Sequence, residues 1–294
     1  MAPRAHPGFN AQMSPAAEPP PQPPASPTTS PVSPAETASA AQPRRELRAL
    51  RLSDPPRWLL AGARDLRAAP GISLFYGLCF WTMAWLLGAV FRNLPEYTMS
   101  FISGCFLVGP FLAMGLYDVS RRHERGLPQS FAESLTCWDR HMGSMAMLVL
   151  VLVLLELLWG RASLVVFAVF FDTGMPSTAS VLKAVFNPAN WEFLAVYLVV
   201  GGAFAILVFS TCVVSIPMIL DRDTDAITAG IASLQTVAGR TGPMLVWGLL
   251  LVILVLAALA LPWAVGIVLV GPWLGHATWH AYRGCFDWCE PEPK

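Results

Sequence analysis

Charged residues are scarce in this sequence, and their scarcity excludes an ordinary soluble domain. Of 294 residues, 13% are charged and 55% are hydrophobic, whereas about 25% of the residues in a soluble domain carry charge. Neither sign is in excess, because Lys plus Arg and Asp plus Glu both number 19. A net charge near zero argues against a nucleic-acid-binding protein. The composition is typical of a protein embedded in a lipid bilayer.

Motifs of the common enzyme classes are absent as well. The chain has no glycine-rich phosphate loop, no Gly-x-Ser-x-Gly and no His-Glu-x-x-His, so nothing indicates an ATPase, a serine hydrolase or a zinc protease. The six cysteines include no Cys-x-x-Cys pair, which argues against a disulfide scaffold or a zinc knuckle. The sequence therefore favours a protein without enzymatic activity.

The amino-terminal segment is rich in proline and poor in aliphatic residues. Its first 43 residues hold 12 of the 26 prolines, and such a segment cannot bury enough apolar surface to offset its ordering entropy. It also lacks the charged start and short apolar core of a secretory signal. We expect residues 1–53 to form a disordered cytoplasmic tail, residues 54–288 a transmembrane domain, and residues 289–294 a short carboxyl-terminal tail.

Six apolar stretches are long enough to cross a membrane as helices. About 20 residues at 1.5 Å each cover the roughly 30 Å of hydrocarbon, and helices satisfy their own backbone hydrogen bonds in lipid. The predicted fold is all-α, with six transmembrane helices arranged as three hairpins. The predicted spans are 72–91, 99–119, 143–160, 193–220, 243–261 and 262–281.

Lysine and arginine positions predict the orientation of these spans. If the amino terminus is cytoplasmic, 15 of these residues lie on the cytoplasmic side once Arg4 in the distant tail is set aside, and only Arg92, Arg161 and Lys183 lie outside. Positive residues concentrate on the cytoplasmic side of membrane proteins. Both termini are therefore expected to face the cytoplasm.

A pattern of surface helix, outgoing span and returning span repeats three times. Each returning span contains a proline, at Pro110, Pro217 and Pro272, and the first and third share Leu-Val-Gly-Pro. Short interfacial helices with N-terminal capping signals precede the outgoing spans. These signals are Asp54 with Pro55, Ser130 with Glu133, and Asp225. The repeat predicts a six-helix bundle with rough threefold character.

Acids and imidazoles recur at matching distances after the three prolines. Four residues on are Met114, Asp221 and His276, and eight residues on are Asp118, Asp225 and His280. If the units are equivalent in space, His276, His280, Asp118, Asp221 and Asp225 converge at the cytoplasmic mouth, where they could bind a divalent metal ion or relay protons. The alternative is that these residues anchor at the headgroups or cap the next helix.

One acid, Glu156, lies well inside an apolar run. A buried charge in a span is costly and often functional, so Glu156 and Arg161 are a candidate intramembrane polar site. Pairing of Glu156 with Arg161, or exposure of its carboxylate at the nearby outer interface, is the other interpretation.

The segments GPFLAMGLYDVSRRHERG, SIPMILDRDTDAITA and GPWLGHATWHAYR resemble the bacterial family of predicted integral membrane proteins called domain of unknown function 2189. The resemblance covers about residues 55–288. It implies a multi-pass protein of the bacterial inner membrane and carries no established activity.

Two classes of function are compatible with these patterns. The first is a non-enzymatic protein in the lipid bilayer, either a small solute or ion permease or an accessory subunit of an envelope or respiratory complex, with a membrane-protein partner or as a homo-oligomer. A permease requires a continuous polar path through the bundle, whereas an accessory subunit has a dry core. The alternative is a metal- or haem-binding redox component that uses His276 and His280.

Overall fold

The computed structural model describes residues 44–94, 97–171, 187 and 190–289 of the chain. Within these ranges the chain is almost entirely helical, which confirms the all-α prediction. Short 3₁₀ turns lie at Asp139–His141 and Pro262–Ala264, and a two-stranded sheet joins β1 (Arg44–Leu47) to β2 (Phe286–Cys289). The α-helices are α1 (Asp54–Ala68), α2 (Pro70–Asn93), α3 (Thr98–Glu124), α4 (Phe131–Thr136), α5 (Met142–Phe170), α6 (Trp191–Cys212), α7 (Ser215–Arg222), α8 (Ala226–Gly239), α9 (Thr241–Ala260) and α10 (Ile267–Cys285).

The helices follow the predicted order of three units. Surface helices α1, α4 and α8 each precede an outgoing helix, and α3, α6–α7 and α10 are the returning helices. Each surface helix packs against the returning helix of another unit: α1 on α10, α4 on α3, and α8 on α6 and α7. The returning helices also contact one another, α3 with both α7 and α10. The three units therefore interlock around a centre formed by the returning helices.

The predicted capping signals are present at two of the surface helices. The Ser130 side chain accepts a hydrogen bond from the Glu133 backbone at 3.4 Å, and the Asp225 carboxylate accepts one from the Thr228 backbone at 2.9 Å. Both bonds satisfy amide groups that a helix start leaves free. At α1 the cap residue is Ser53, one position before the predicted Asp54, and Pro70 begins the next helix.

Five of the predicted spans lie in helices that are long and apolar enough to cross a membrane, and the sixth differs. The five are α2, α3, α5, α6 with α7, and α9. In place of the predicted span 262–281, a turn at Pro262–Ala264 precedes α10, which is 19 residues long but is not among those apolar helices. Because α10 is packed against α1, α2, α3 and α9, it can carry polar side chains away from lipid.

The second returning span is broken into two helices. Proline at position 217 has no N–H for the Val213 carbonyl, and the helical hydrogen-bond ladder is interrupted at Val213 and Val214, although both residues keep right-handed helical dihedrals. The Val214 N–H that this break frees donates to the Ser233 hydroxyl of α8 at 3.2 Å. Pro110 and Pro272 lie inside continuous helices, so the three prolines are not equivalent.

The terminal strands correct the predicted boundaries of both tails. Residues 44–47 pair antiparallel with residues 286–289, with Leu47 opposite Phe286, although the sequence predicted a disordered tail through residue 53 and a transmembrane domain that ends at residue 288. Arg240 anchors this sheet by donating to the carbonyls of Leu47 and Arg48, at 3.0 Å and 2.8 Å. Strand pairing between chain ends depends on the fold that brings them together, so local composition did not reveal it. Residues 1–43 lie outside the described part of the chain.

Candidate functional site

A buried carboxylate at the arginine-rich end of the bundle binds two histidines from other helices. Asp65 lies in α1 and is 4% exposed. Its two oxygens are 2.7 Å from His123 Nδ1, at the end of α3, and 2.8 Å from His280 Nε2, on α10. We call these three residues the Asp65 cluster. It joins a surface helix to the returning helices of two different units.

His276 lies one turn from His280 and is completely buried. Its Nε2 is 2.9 Å from the Ser73 hydroxyl, and its Nδ1 is 2.8 Å from the Ser120 hydroxyl. Because Ser73 donates its hydroxyl hydrogen to the Ala69 carbonyl, Nε2 carries the ring hydrogen and Nδ1 accepts from Ser120. Both ring nitrogens are thereby satisfied within the protein.

Burial and hydrogen bonding act in opposite directions on Asp65. Desolvation by itself raises the pKa of a carboxyl group, but hydrogen bonds from His280 and His123 hold the pKa of Asp65 below its usual range. Asp65 is therefore the ionised acceptor of the cluster.

A second ionic group surrounds Asp221 at the end of α7. Its side chain is 3% exposed and accepts hydrogen bonds from Tyr282 and Arg125, both at 2.9 Å. Arg283 of α10 bonds Glu124 of α3 at 3.0 Å. These contacts join the ends of the three returning helices at the arginine-rich end of the bundle.

A cavity of about 500 Å³ opens beside this ionic group. Its wall includes Arg121, Arg122, Arg125 and Arg140 together with five carboxylates. Arg121 pairs with Asp118 at 2.5 Å, and Arg122 pairs with Glu133. Because the cavity wall carries both arginines and carboxylates, it does not favour anions over cations or cations over anions.

The five residues predicted to form a metal or proton site do not converge. Asp118 pairs with Arg121, Asp221 with Tyr282 and Arg125, and Asp225 is an exposed helix cap. No group of three His, Cys, Asp or Glu side chains within the described ranges is arranged to hold a metal ion. The prediction required matching registers, but α7 ends at Arg222 and Asp223 is left-handed, with φ of 51°. The residue eight positions after Pro217 therefore lies on no returning helix.

Sequence reasoning singled out both histidines of α10 but missed Asp65, which binds His280, and His123, which binds Asp65. Asp65 lies on an amphipathic helix, where a carboxylate usually faces solvent. Its partners are 58 and 215 residues away along the chain, and no local spacing indicates such a contact.

Glu156 is buried, as predicted, but its partner is not Arg161. Its Oε2 accepts a hydrogen bond from the Ser103 hydroxyl at 2.7 Å, and the residue is 5% exposed. Arg161 is exposed on the same helix. Residues five apart on a helix point in different directions, which explains why the predicted pair does not form.

Comparison with known proteins supports the membrane assignment over the middle of the chain. No curated protein and no solved structure matches the chain. Residues 98–221 match a family described as "Predicted integral membrane protein (DUF2189)". This range begins at α3 and ends in α7, so it contains Asp118, Glu156 and Asp221, whereas Asp65 and His276 lie outside it. The resemblance inferred from the sequence is thus confirmed over residues 98–221, where the chain matches this family of predicted integral membrane proteins.

Proposed function

We propose that this protein is a non-enzymatic accessory subunit of a membrane complex in the bacterial inner membrane. The observation that supports this role over a permease is the buried apolar core of the bundle. Met114, Met145 and Leu148 belong to it, each with at most 2% of its surface exposed. A solute or ion pathway requires polar side chains or water along its length.

The bundle has two polar regions, one around Glu156 and one around His276, and the distance between them supports the same conclusion. Ser103 contacts Glu156, and Ser120 contacts His276; both serines belong to α3. They are 17 residues apart, which corresponds to about 25 Å along a helix. Most buried serines and threonines outside these regions form hydrogen bonds with backbone carbonyls of their own helix, as Thr211 and Thr236 do. They therefore do not form a path for protons or solutes between the two regions.

Reconstitution distinguishes an accessory subunit from a permease. We expect vesicles that contain the purified protein to leak protons and potassium no faster than empty vesicles, with gramicidin as the positive control. Flux that the protein increases and that Asp65→Asn abolishes would contradict the proposal.

Extraction of native membranes into polymer-bounded lipid discs is expected to yield a particle larger than one copy of the chain, and mass spectrometry then distinguishes a homo-oligomer from a heteromeric complex. A particle with a single copy of this chain and no other protein would also contradict an accessory role.

The paired terminal strands support an even number of membrane crossings. Residues 44–47 precede the first span and residues 286–289 follow α10, and their antiparallel pairing requires both segments to lie on one side. With five spans in the apolar helices, α10 supplies the sixth crossing. The excess of arginine at this end favours the cytoplasm.

Reporter fusions test this topology. A reporter that is active only in the periplasm is expected to be active when fused after Lys183 and inactive when fused at the carboxyl terminus. A cytoplasmic fluorescent reporter is the matched control and should give the opposite pair of results. Equal activity of one reporter at both positions would exclude six crossings.

A further inference from the structure

A second cavity, of about 520 Å³, lies between α3, α5 and α6. Its wall is formed mainly by apolar side chains, including Phe106, Trp159, Phe204 and Val208. Among the described residues that line it, Glu156 alone is ionisable at neutral pH. The cavity is separate from the Asp65 cluster, because the α3 residues that line it lie in the first half of that helix.

One oxygen of Glu156 has no partner. Oε2 accepts the hydrogen bond from Ser103, but Oε1 is buried and unpaired within the described part of the chain. Buried polar atoms are nearly always hydrogen-bonded, and an unpaired one requires an explanation. A bound molecule with a hydrogen-bond donor would satisfy Oε1.

The surroundings of Glu156 favour a donor that is also a cation. A buried carboxylate is stabilised by a counter-charge, and among the residues that the structure describes no Arg, Lys or His side chain lines this cavity. An ammonium group supplies both the charge and N–H donors. The aromatic wall suits the remaining apolar part of the same molecule.

The depth of the site fits a molecule whose head lies near the membrane surface. Ser103 is five residues from the start of α3, which corresponds to about 8 Å along the helix. Gly201 allows the Trp159 ring to pack closely against α6 at this level, because a Cβ at position 201 would lie 3.1 Å from that ring. An alkyl chain can lie beside Phe106 and Val208, which are further from this surface along α3 and α6 than Ser103 and Gly201, while its head reaches Glu156.

We propose that this cavity binds a lipophilic primary amine, with the ammonium group on Glu156 and the alkyl chain along the aromatic wall. The same chemistry occurs in a free alkylamine and in the headgroup of phosphatidylethanolamine. Both carry N–H donors, whereas a quaternary ammonium carries the charge without them.

Binding of dodecylamine to the full chain in phosphatidylcholine discs tests the proposal. We expect the affinity to fall at least tenfold in Glu156→Gln and to be unchanged in Glu192→Gln, which removes an exposed acid of α6. Dodecyltrimethylammonium is expected to bind at least tenfold more weakly than dodecylamine. Competition by phosphatidylethanolamine identifies a lipid as the source of the amine, and binding without such competition identifies a free amine.

A second variant keeps the test valid if Glu156→Gln does not fold. Val208→Trp is designed to fill the cavity while retaining the carboxylate, and we expect it to reduce dodecylamine binding to the same extent. Circular dichroism and thermal melting identify the variants that are folded. Wild-type affinity in a folded Glu156→Gln or Val208→Trp protein, or equal affinity for the quaternary probe, would overturn the proposal.

Discussion

Gly77→Ala is expected to destabilise the protein more than any other single methyl addition considered for this chain. A Cβ at position 77 of α2 would lie 2.0 Å from the backbone oxygen of Val268 in α10. Because the obstacle is backbone, the two helices must separate. Overpacked cores lose about 1–3 kcal/mol, and we expect a loss of about 3 kcal/mol here, which corresponds to a melting temperature lower by about 6–12 °C.

Gly71→Ala is the matched control for this prediction. It lies in the same helix, and a Cβ there would meet nothing within 4 Å. Since alanine is a better helix former than glycine by up to about 1 kcal/mol, the free energy of unfolding of the Gly71→Ala protein should be unchanged or slightly higher. Thermal melting in detergent compares the two variants. Equal melting temperatures for Gly77→Ala and Gly71→Ala would show that α2 and α10 do not pack closely at this point.

Asp65→Asn is the second substitution with a large expected effect. It removes the ionised acceptor of two hydrogen bonds that connect α1 with α3 and α10. Hydrogen bonds to a charged group contribute about 1.5–3 kcal/mol each, and His123 is partly exposed, so we expect a net loss of about 2–3 kcal/mol. Asp287→Asn, which changes an exposed aspartate, should leave the melting temperature unchanged.

The contribution of Asp65 is expected to depend on pH in a defined direction. Its folded-state pKa is lower than the ordinary value of 3.8, so the ionised form binds more strongly in the folded protein. This stabilisation is complete above the unfolded-state pKa and is lost as the pH falls through the folded-state pKa. Melting curves between pH 7 and pH 3 should show a constant difference between wild type and Asp65→Asn down to about pH 4, and then convergence. A difference that grew below pH 4 would contradict the assignment of Asp65 as the ionised acceptor.

The order of the three units and two helix starts were predictable because they depend on neighbouring residues. Ser130 and Asp225 cap α4 and α8 where the sequence placed them. The turn at Pro262–Ala264 also lies at the boundary between the predicted spans 243–261 and 262–281. Each feature arises from hydropathy, capping or proline geometry within a few residues.

The candidate site was predictable only in part, because counting from a proline assumes that every returning span is one continuous helix. That assumption failed after Arg222, where α7 ends and Asp223 is left-handed. Asp225 consequently became a helix cap and did not join Asp221 at the mouth of the bundle. The histidines of α10 were singled out from the sequence, but their bonding partners come from α1, α2 and α3.

By itself the sequence determined that the protein is membrane-embedded, that it is helical and that its elements follow one another in three similar units, because hydropathy and capping act over short distances along the chain. Only the tertiary structure decided which polar groups meet. Asp65 reaches His280 across 215 residues, Arg240 reaches the carbonyl of Arg48 across 192 residues, and Glu156 meets Ser103 instead of nearby Arg161. Such contacts depend on how helices cross and on which face each one buries, and packing of the whole bundle sets both.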